Sequence, residues 1–161
     1  MSTYSDLIEA IKARVDLVPD VGSTHAYQRF SSQMPDYLDH FMVSVEGKDQ
    51  IRGWVITLSS DQPIASEVML PEIVQRTYQI EIYGMMELED GAESELEFLD
   101  LAEAVMDSVE GGYQTGVVGT FNVEAISMRT YQVRMFGNVL CHYCEIMVPI
   151  VFDHGVHYVR G

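Results

Sequence analysis

The residues able to do chemistry gather in a few places. Cys141-His142-Tyr143-Cys144 is a C-x-x-C, with His154 and His157 downstream. Thiols and imidazoles in this order are the donor set of a zinc site or of a thiol redox pair. The spacing argues against both. Side chains alternate along a strand, so cysteines three positions apart point to opposite faces. A zinc knuckle needs a turn, and no glycine or proline lies inside the motif. A redox pair needs its first thiol at a helix start, whereas Leu140 to Phe152 reads as strand. A zinc- or thiol-dependent enzyme is therefore the weakest reading, and no metal or other cofactor is expected.

The second cluster is acidic. Glu87, Glu89, Asp90, Glu93, Glu95, Glu97, Asp100, Glu103, Asp107 and Glu110 follow one another with no Lys or Arg among them. Paired carboxylates can exchange protons or bind calcium, but Glu87 to Ser94 lacks the ligand steps of a calcium loop. A solvated face, or a wall of negative charge, is what remains. His25 and His40 complete the candidate bases. No G-x-S-x-G, P-loop or G-x-G-x-x-G accompanies them, so the chain is not expected to be an enzyme and no catalytic residue is assigned.

The elements that carry these groups centre on Arg76 to Gly112. Tyr78, Ile80 and Ile82 alternate with Gln79 and Glu81, the period of a half-buried strand. After an acidic loop, Leu96, Leu99, Ala102, Val105, Met106 and Val109 recur at helical steps and predict a core-facing stripe from Glu93 to Val109. Ser94 and Glu97 fit a capping box, and Gly111-Gly112 a helix stop. An earlier helix is predicted over Thr3 to Val18, with Tyr4, Leu7, Ile8, Ile11 and Val15 on one face and Pro19 and Gly22 ending it. Thr24 to Phe30 reads as a short strand and Ser31 to Asp39 as a loop. Phe41 to Val45 and Arg52 to Leu58 read as a hairpin around Gly47-Lys48-Asp49.

From Ser59 to Val74 the alternation stops, and Pro63 and Pro71 oppose any long regular element. Ile64, Val68, Met69, Leu70 and Ile73 are apolar there, and a neighbouring subunit could bury them. Strands follow over Phe121 to Met128, Thr130 to Phe136 and Leu140 to Phe152, with Pro149 pointing to an edge or a strand end. The expected fold is α+β: a mixed, mostly antiparallel sheet with two helices on one face, in a single domain over 1–161, with a short tail after Phe152.

Composition narrows the function classes. The chain has 161 residues and a net charge of −16, from 25 acids against nine bases. That balance disfavours a groove that neutralises phosphates and suits solubility or a basic protein partner. No run of about 18 apolar residues exists to cross a membrane. The start lacks a basic-then-apolar leader, and two cysteines fit a reducing compartment.

The order of these elements resembles that of the tail terminator (tail-completion, or minor tail) proteins of long-tailed bacteriophages. The likeness rests on the opening helix, the hairpin, Arg76-Thr77-Tyr78-Gln79-Ile80-Glu81-Ile82-Tyr83-Gly84 leading through an acidic loop into the Leu96–Val109 helix, and a closing strand pair ending in Cys144 to Ile150. It spans roughly Tyr4 to Phe152. The resemblance implies a structural virion protein, assembled in the host cytoplasm and resident in the tail or neck. It implies a homo-oligomeric ring, hexameric in the family, that caps the tail tube, stops its polymerisation and joins it to the head–tail connector. A connector or other neck protein is the alternative. DNA would pass without specific binding. On this reading Ile64, Val68, Met69, Leu70 and Ile73, with the hairpin-tip residues Glu46, Lys48 and Gln50, are candidate subunit or partner contacts. Glu93, Glu97, Asp100, Glu103 and Asp107 are candidates for an acidic face towards the lumen.

Overall fold

A computed structural model of the chain describes residues 3–29, 31–64, 74–110, 112–114, 120–123 and 125–154. In chain order the elements are α1 (Thr3–Val15), β1 (Ser23–His25), α2 (Met34–Asp39), β2 (Met42–Val45), β3 (Lys48–Ile64) and β4 (Val74–Glu87). They continue with α3 (Ser94–Val109), β5 (Gly112–Gln114), β6 (Thr120–Val123), β7 (Ser127–Phe136) and β8 (Val139–His154). The fold is α+β, as the pattern of the sequence predicts. Its eight strands form one sheet in the order β1-β3-β4-β8-β6-β5, with β2 beside β1 on β3 and β7 beside β6 on β8. All pairings are antiparallel except β1 with β3.

The strand centred on Tyr78 to Tyr83 is the middle of the sheet. β4 pairs with β3 on one side and with β8 along its whole length on the other. Its alternation sorts the two faces. Ile80, Ile82 and Met86 join Trp54, Ile56, Ile146 and Val148 beneath α1 and α3. Tyr83 and Met85 join Ile51, Val55 and Cys141 on the opposite face, beneath Leu38 and Phe41. The two predicted helices therefore share a face, and α2 covers part of the other. The expected loop over Ser31 to Asp39 is thus a helix in its second half. Pro35 is tolerated in the first turn, where no amide is needed.

Several boundaries differ from expectation: the strand expected over Phe121 to Met128 is split between β6, which ends at Val123, and β7, which starts at Ser127, and four others shift. β1 is three residues long and parallel, not a strand running to Phe30. α1 ends at Val15. β3 continues to Ile64 across a bulge between Leu58 and Ser60, and its backbone is extended over the first six residues of the segment expected to be irregular. β8 likewise runs to His154, past the expected start of a tail. Pro149 lies inside β8, and the register explains why. β7 flanks β8 up to Met147 and β6 flanks it from Ile150. Pro149 sits between these two flanks, where no strand pairs with β8 on that side among the described residues.

α3 is turned relative to the predicted stripe. Phe98, Leu101, Ala102, Val105 and Val109 are buried, and Leu96 is 60% exposed. The cause is aromatic. Phe98 stacks on Trp54 at 5.9 Å and on His142 at 5.6 Å, so burying the larger ring outweighs burying Leu96. Glu93, Glu97, Asp100, Glu103 and Asp107 are exposed on the side away from this core. At the helix end Arg14 donates to the Glu110 carbonyl at 2.8 Å, placing a cation at a pole that Asp107 and Glu110 make more negative.

Candidate functional site

The structure brings together residues that the sequence offered for two separate roles. β2 and β3 form a hairpin whose two-residue turn, Glu46-Gly47, has positive φ at both positions. The tip leans over the start of α3, and a cleft of about 460 Å³ lies between them. Glu46, Lys48 and Gln50 line its hairpin side; Glu97, from the candidate lumen set, lines its helix side; Glu87 and Glu89 form its floor.

Two ion pairs cross the cleft. Lys48 reaches Glu89 at 2.6 Å, and Arg52 reaches Glu97 at 2.5 Å. Arg52 is 2% exposed and also donates to the Asp20 carbonyl at 2.9 Å. A guanidinium this dry needs its counter-charge, so Glu97 braces α3 against β3 as well as facing solvent. The remaining carboxylates leave the cleft acidic, a chemistry that accepts a cationic side chain more readily than an anion.

Ser94, expected as half of a capping box, does something else. The residue before the helix, Glu93, is left-handed and makes no side-chain cap. Ser94 Oγ accepts the Glu89 backbone N–H at 2.8 Å and lies 2.8 Å from His142 Nε2. The His142 Nδ1 faces Tyr131 Oη at 3.2 Å. All of these groups are satisfied when Ser94 donates to Nε2 and Nδ1–H points to Tyr131. Glu95 in turn accepts from the Tyr131 hydroxyl. Burial lowers the His142 pKa, with Glu95 opposing, so the ring is held neutral. The chain of bonds ties the start of α3 to β7 and β8. Capping failed because tertiary contacts claimed both expected partners, Ser94 by His142 and Glu97 by Arg52. Nothing in the local pattern announces a contact across 48 residues.

The cysteine pair separates as the strand argument requires. Cys141 packs in the α2-side cluster and Cys144 in the opposite one. Both are fully buried, and burial pushes each thiol up to about 12. A single ion cannot reach both sulfurs. His154 ends β8, and His157 lies outside the described residues.

No protein-family model matches the chain, and no curated protein is significantly similar to it. Among the described residues, no helix is long and apolar enough to cross a membrane. Of the apolar contact candidates, Ile64 ends β3, while Val68, Met69, Leu70 and Ile73 lie outside the described residues.

A surface that sequence reasoning missed lies at the β7 rim. Val133 and Met135 are 44% and 60% exposed there, beside Leu140 at 41%. Tyr131 points to the helix side of the sheet, because it packs near Phe98 at 6.2 Å. Val133 and Met135 share that side by alternation. Leu96 and Val133 line one groove of about 380 Å³ with Tyr131 and His142 at its base. The signal was legible in part: S-M-R-T-Y-Q-V-R-M-F places apolar residues on both faces of a strand, more than one core requires.

Proposed function

We propose that the chain is a structural assembly subunit of a phage virion. It forms a ring that caps the tail tube, halts its growth and offers a surface to the head–tail connector. The observation that carries this reading is the open sheet. Among the described residues, β7 pairs only with β8 and β2 only with β3, and the β7 rim is apolar as well as open. Open apolar edges are a hazard for a monomer and an asset for a subunit. The order of elements that suggested the family also holds: α1, the β2–β3 hairpin, β4, the acidic turn, α3 and the β7–β8 pair.

On this reading the outer face of α3 is where Glu93, Asp100, Glu103 and Asp107 would line a passage that DNA crosses without adhering, with Glu97 held by Arg52. The test is assembly. Purified chain is mixed with the matching tube protein and with the connector, and the products are measured by sedimentation and electron microscopy. The expected result is tubes of fixed length bearing one ring at one end. Tubes that grow unchecked and never retain the chain refute the capping role. Retention by the connector alone moves the chain to the neck.

A further inference from the structure

Among the described residues, β7 and β2 lie at opposite rims of the sheet with no strand beyond them, and the two rims differ in charge. From Ser127 to Cys144 the chain carries Arg129 and Arg134 and no carboxylate, within a molecule of 25 acids and nine bases. Arg129 is already bound to Glu145 at 2.6 Å and to Glu81 at 3.1 Å, on β8 and β4, so Arg134 is the cation this rim offers. This stretch contains β7. From Met34 to Gln50 it carries Asp36, Asp39, Glu46 and Asp49 against Lys48 alone, and Lys48 is already bound to Glu89. This stretch contains β2. Both rims also expose apolar side chains: Val133 and Met135 on one, Met42 at 43% and Met34 at 41% on the other.

We propose that the β7 rim of one copy pairs with the β2 rim of the next, so that the sheets join head to tail; this rests on the ring reading above and names its contact surface. Three observations select this pairing. The first is charge: the rim that offers Arg134 meets the acidic one, whereas β7 against β7 brings Arg134 towards its own copy. Like charges directly opposite across strands are unfavourable. The second is the outer backbone edge that no other strand pairs among the described residues, which β7 offers over Ser127–Phe136 and β2 over Met42–Val45. An open edge finds its hydrogen-bond partners most simply in another open edge. The third is direction.

Direction follows from topology. β2, β3, β4, β8 and β7 are each antiparallel to the next. β2 and β7 therefore run the same way, at opposite rims of one sheet. Copies related by rotation about an axis along the strands keep that direction, so β7 meets the next β2 in a parallel ladder. Such a contact uses two different surfaces and can close into a ring. A two-fold dimer through β7 alone would be antiparallel and would leave both β2 rims open.

The test uses cysteine pairs in the full chain. Met135 and Ser44 are exposed, and the native Cys141 and Cys144 are fully buried, so new thiols report alone. Met135→Cys and Ser44→Cys are prepared separately, concentrated, and treated with a flexible bismaleimide singly and as a mixture. Cross-linked dimer is expected in the mixture and not in either variant by itself, and a Met135→Cys/Ser44→Cys double variant is expected to give a ladder of higher species. Dimer from Met135→Cys alone overturns the proposal in favour of a two-fold contact, and absence of any cross-link overturns it outright.

A second arm separates this surface from the ring reading. Val133→Glu with Met135→Glu sets new acids against an acidic rim. Self-association by sedimentation should weaken at least about tenfold, with the circular dichroism spectrum unchanged. Undiminished association in that variant refutes the surface and leaves the ring standing. A wild-type chain that stays monomeric alone and with tube protein removes both.

Discussion

The substitution Gly84→Ala tests the packing on which α3 and the hairpin both depend. Gly84 lies opposite Trp54 in the β3–β4 ladder. A Cβ built there would sit 2.4, 2.5 and 2.7 Å from Cζ3, Cε3 and Cη2 of the indole. Carbon atoms prefer about 3.5–4.0 Å, so the ring must retreat by about 1 Å. It has little freedom to do so. Its Nε1–H donates to the Val21 carbonyl at 3.0 Å, and its face stacks on Phe98. Overpacking of this kind costs about 1–3 kcal/mol, and losing the indole hydrogen bond adds about 1 kcal/mol. Alanine returns roughly 0.5–1 kcal/mol by restricting the unfolded strand. The expected net loss is about 2–3 kcal/mol, which lowers Tm by about 4–12 °C in a chain of this size. Trp54 is the only tryptophan, so its emission reports both the transition and the displaced ring. Trp54→Phe should absorb most of the penalty of Gly84→Ala, because the atoms in collision are then gone; a coupling of at least about 1 kcal/mol is expected. A loss below about 0.5 kcal/mol, or additive behaviour in the double variant, refutes the argument.

Other outcomes follow from the same geometry. Burial lowers the pKa of both His25 and His142, so the unfolded chain takes up protons first. Stability should therefore hold above about pH 6.5 and fall as pH drops below it; a urea midpoint that is flat from pH 8 to 5 would contradict this. Ser94→Ala leaves the Glu89 amide and the His142 ring without their shared hydroxyl, at a cost of about 1–3 kcal/mol by chemical denaturation. Glu97→Gln removes the counter-charge of a buried arginine, but Glu97 itself is half exposed. A loss of about 1–2 kcal/mol is expected, between the values for surface and buried pairs. Both thiols should resist an aromatic disulfide reagent at pH 8 until the protein unfolds, with labelling that tracks the unfolding rate.

Much of the fold was legible because the relevant signals are local. The stripe Leu7, Ile8, Ile11 and Val15 is buried as its spacing predicts, and Tyr78, Ile80 and Ile82 face one core together. What was not legible depends on contacts between distant segments. Leu96 and Phe98 both suit an apolar stripe, and only the stacked rings of Trp54 and His142 decide which is buried. The capping box was a sound local pattern whose two side chains were drawn to other partners. Pro63 and Pro149 argued for breaks, yet both sit in long strands, at places where no second strand flanks them on one side among the described residues. At the candidate site, the hairpin tip and Glu97 were each visible in the sequence; that they share a cleft was not.

The placement of β8 bears on how the molecule is made. It is threaded between β4 on one side and β6 and β7 on the other, yet it follows all of them in the chain. On a translating ribosome, β3 and β4 can pair as soon as they emerge, while β6 and β7 wait without a seat and α3 covers only part of its floor. Closure must come late and nearly all at once. A nascent chain stopped before Val139 should therefore be a substrate for chaperones and proteases, not a trimmed version of the native protein.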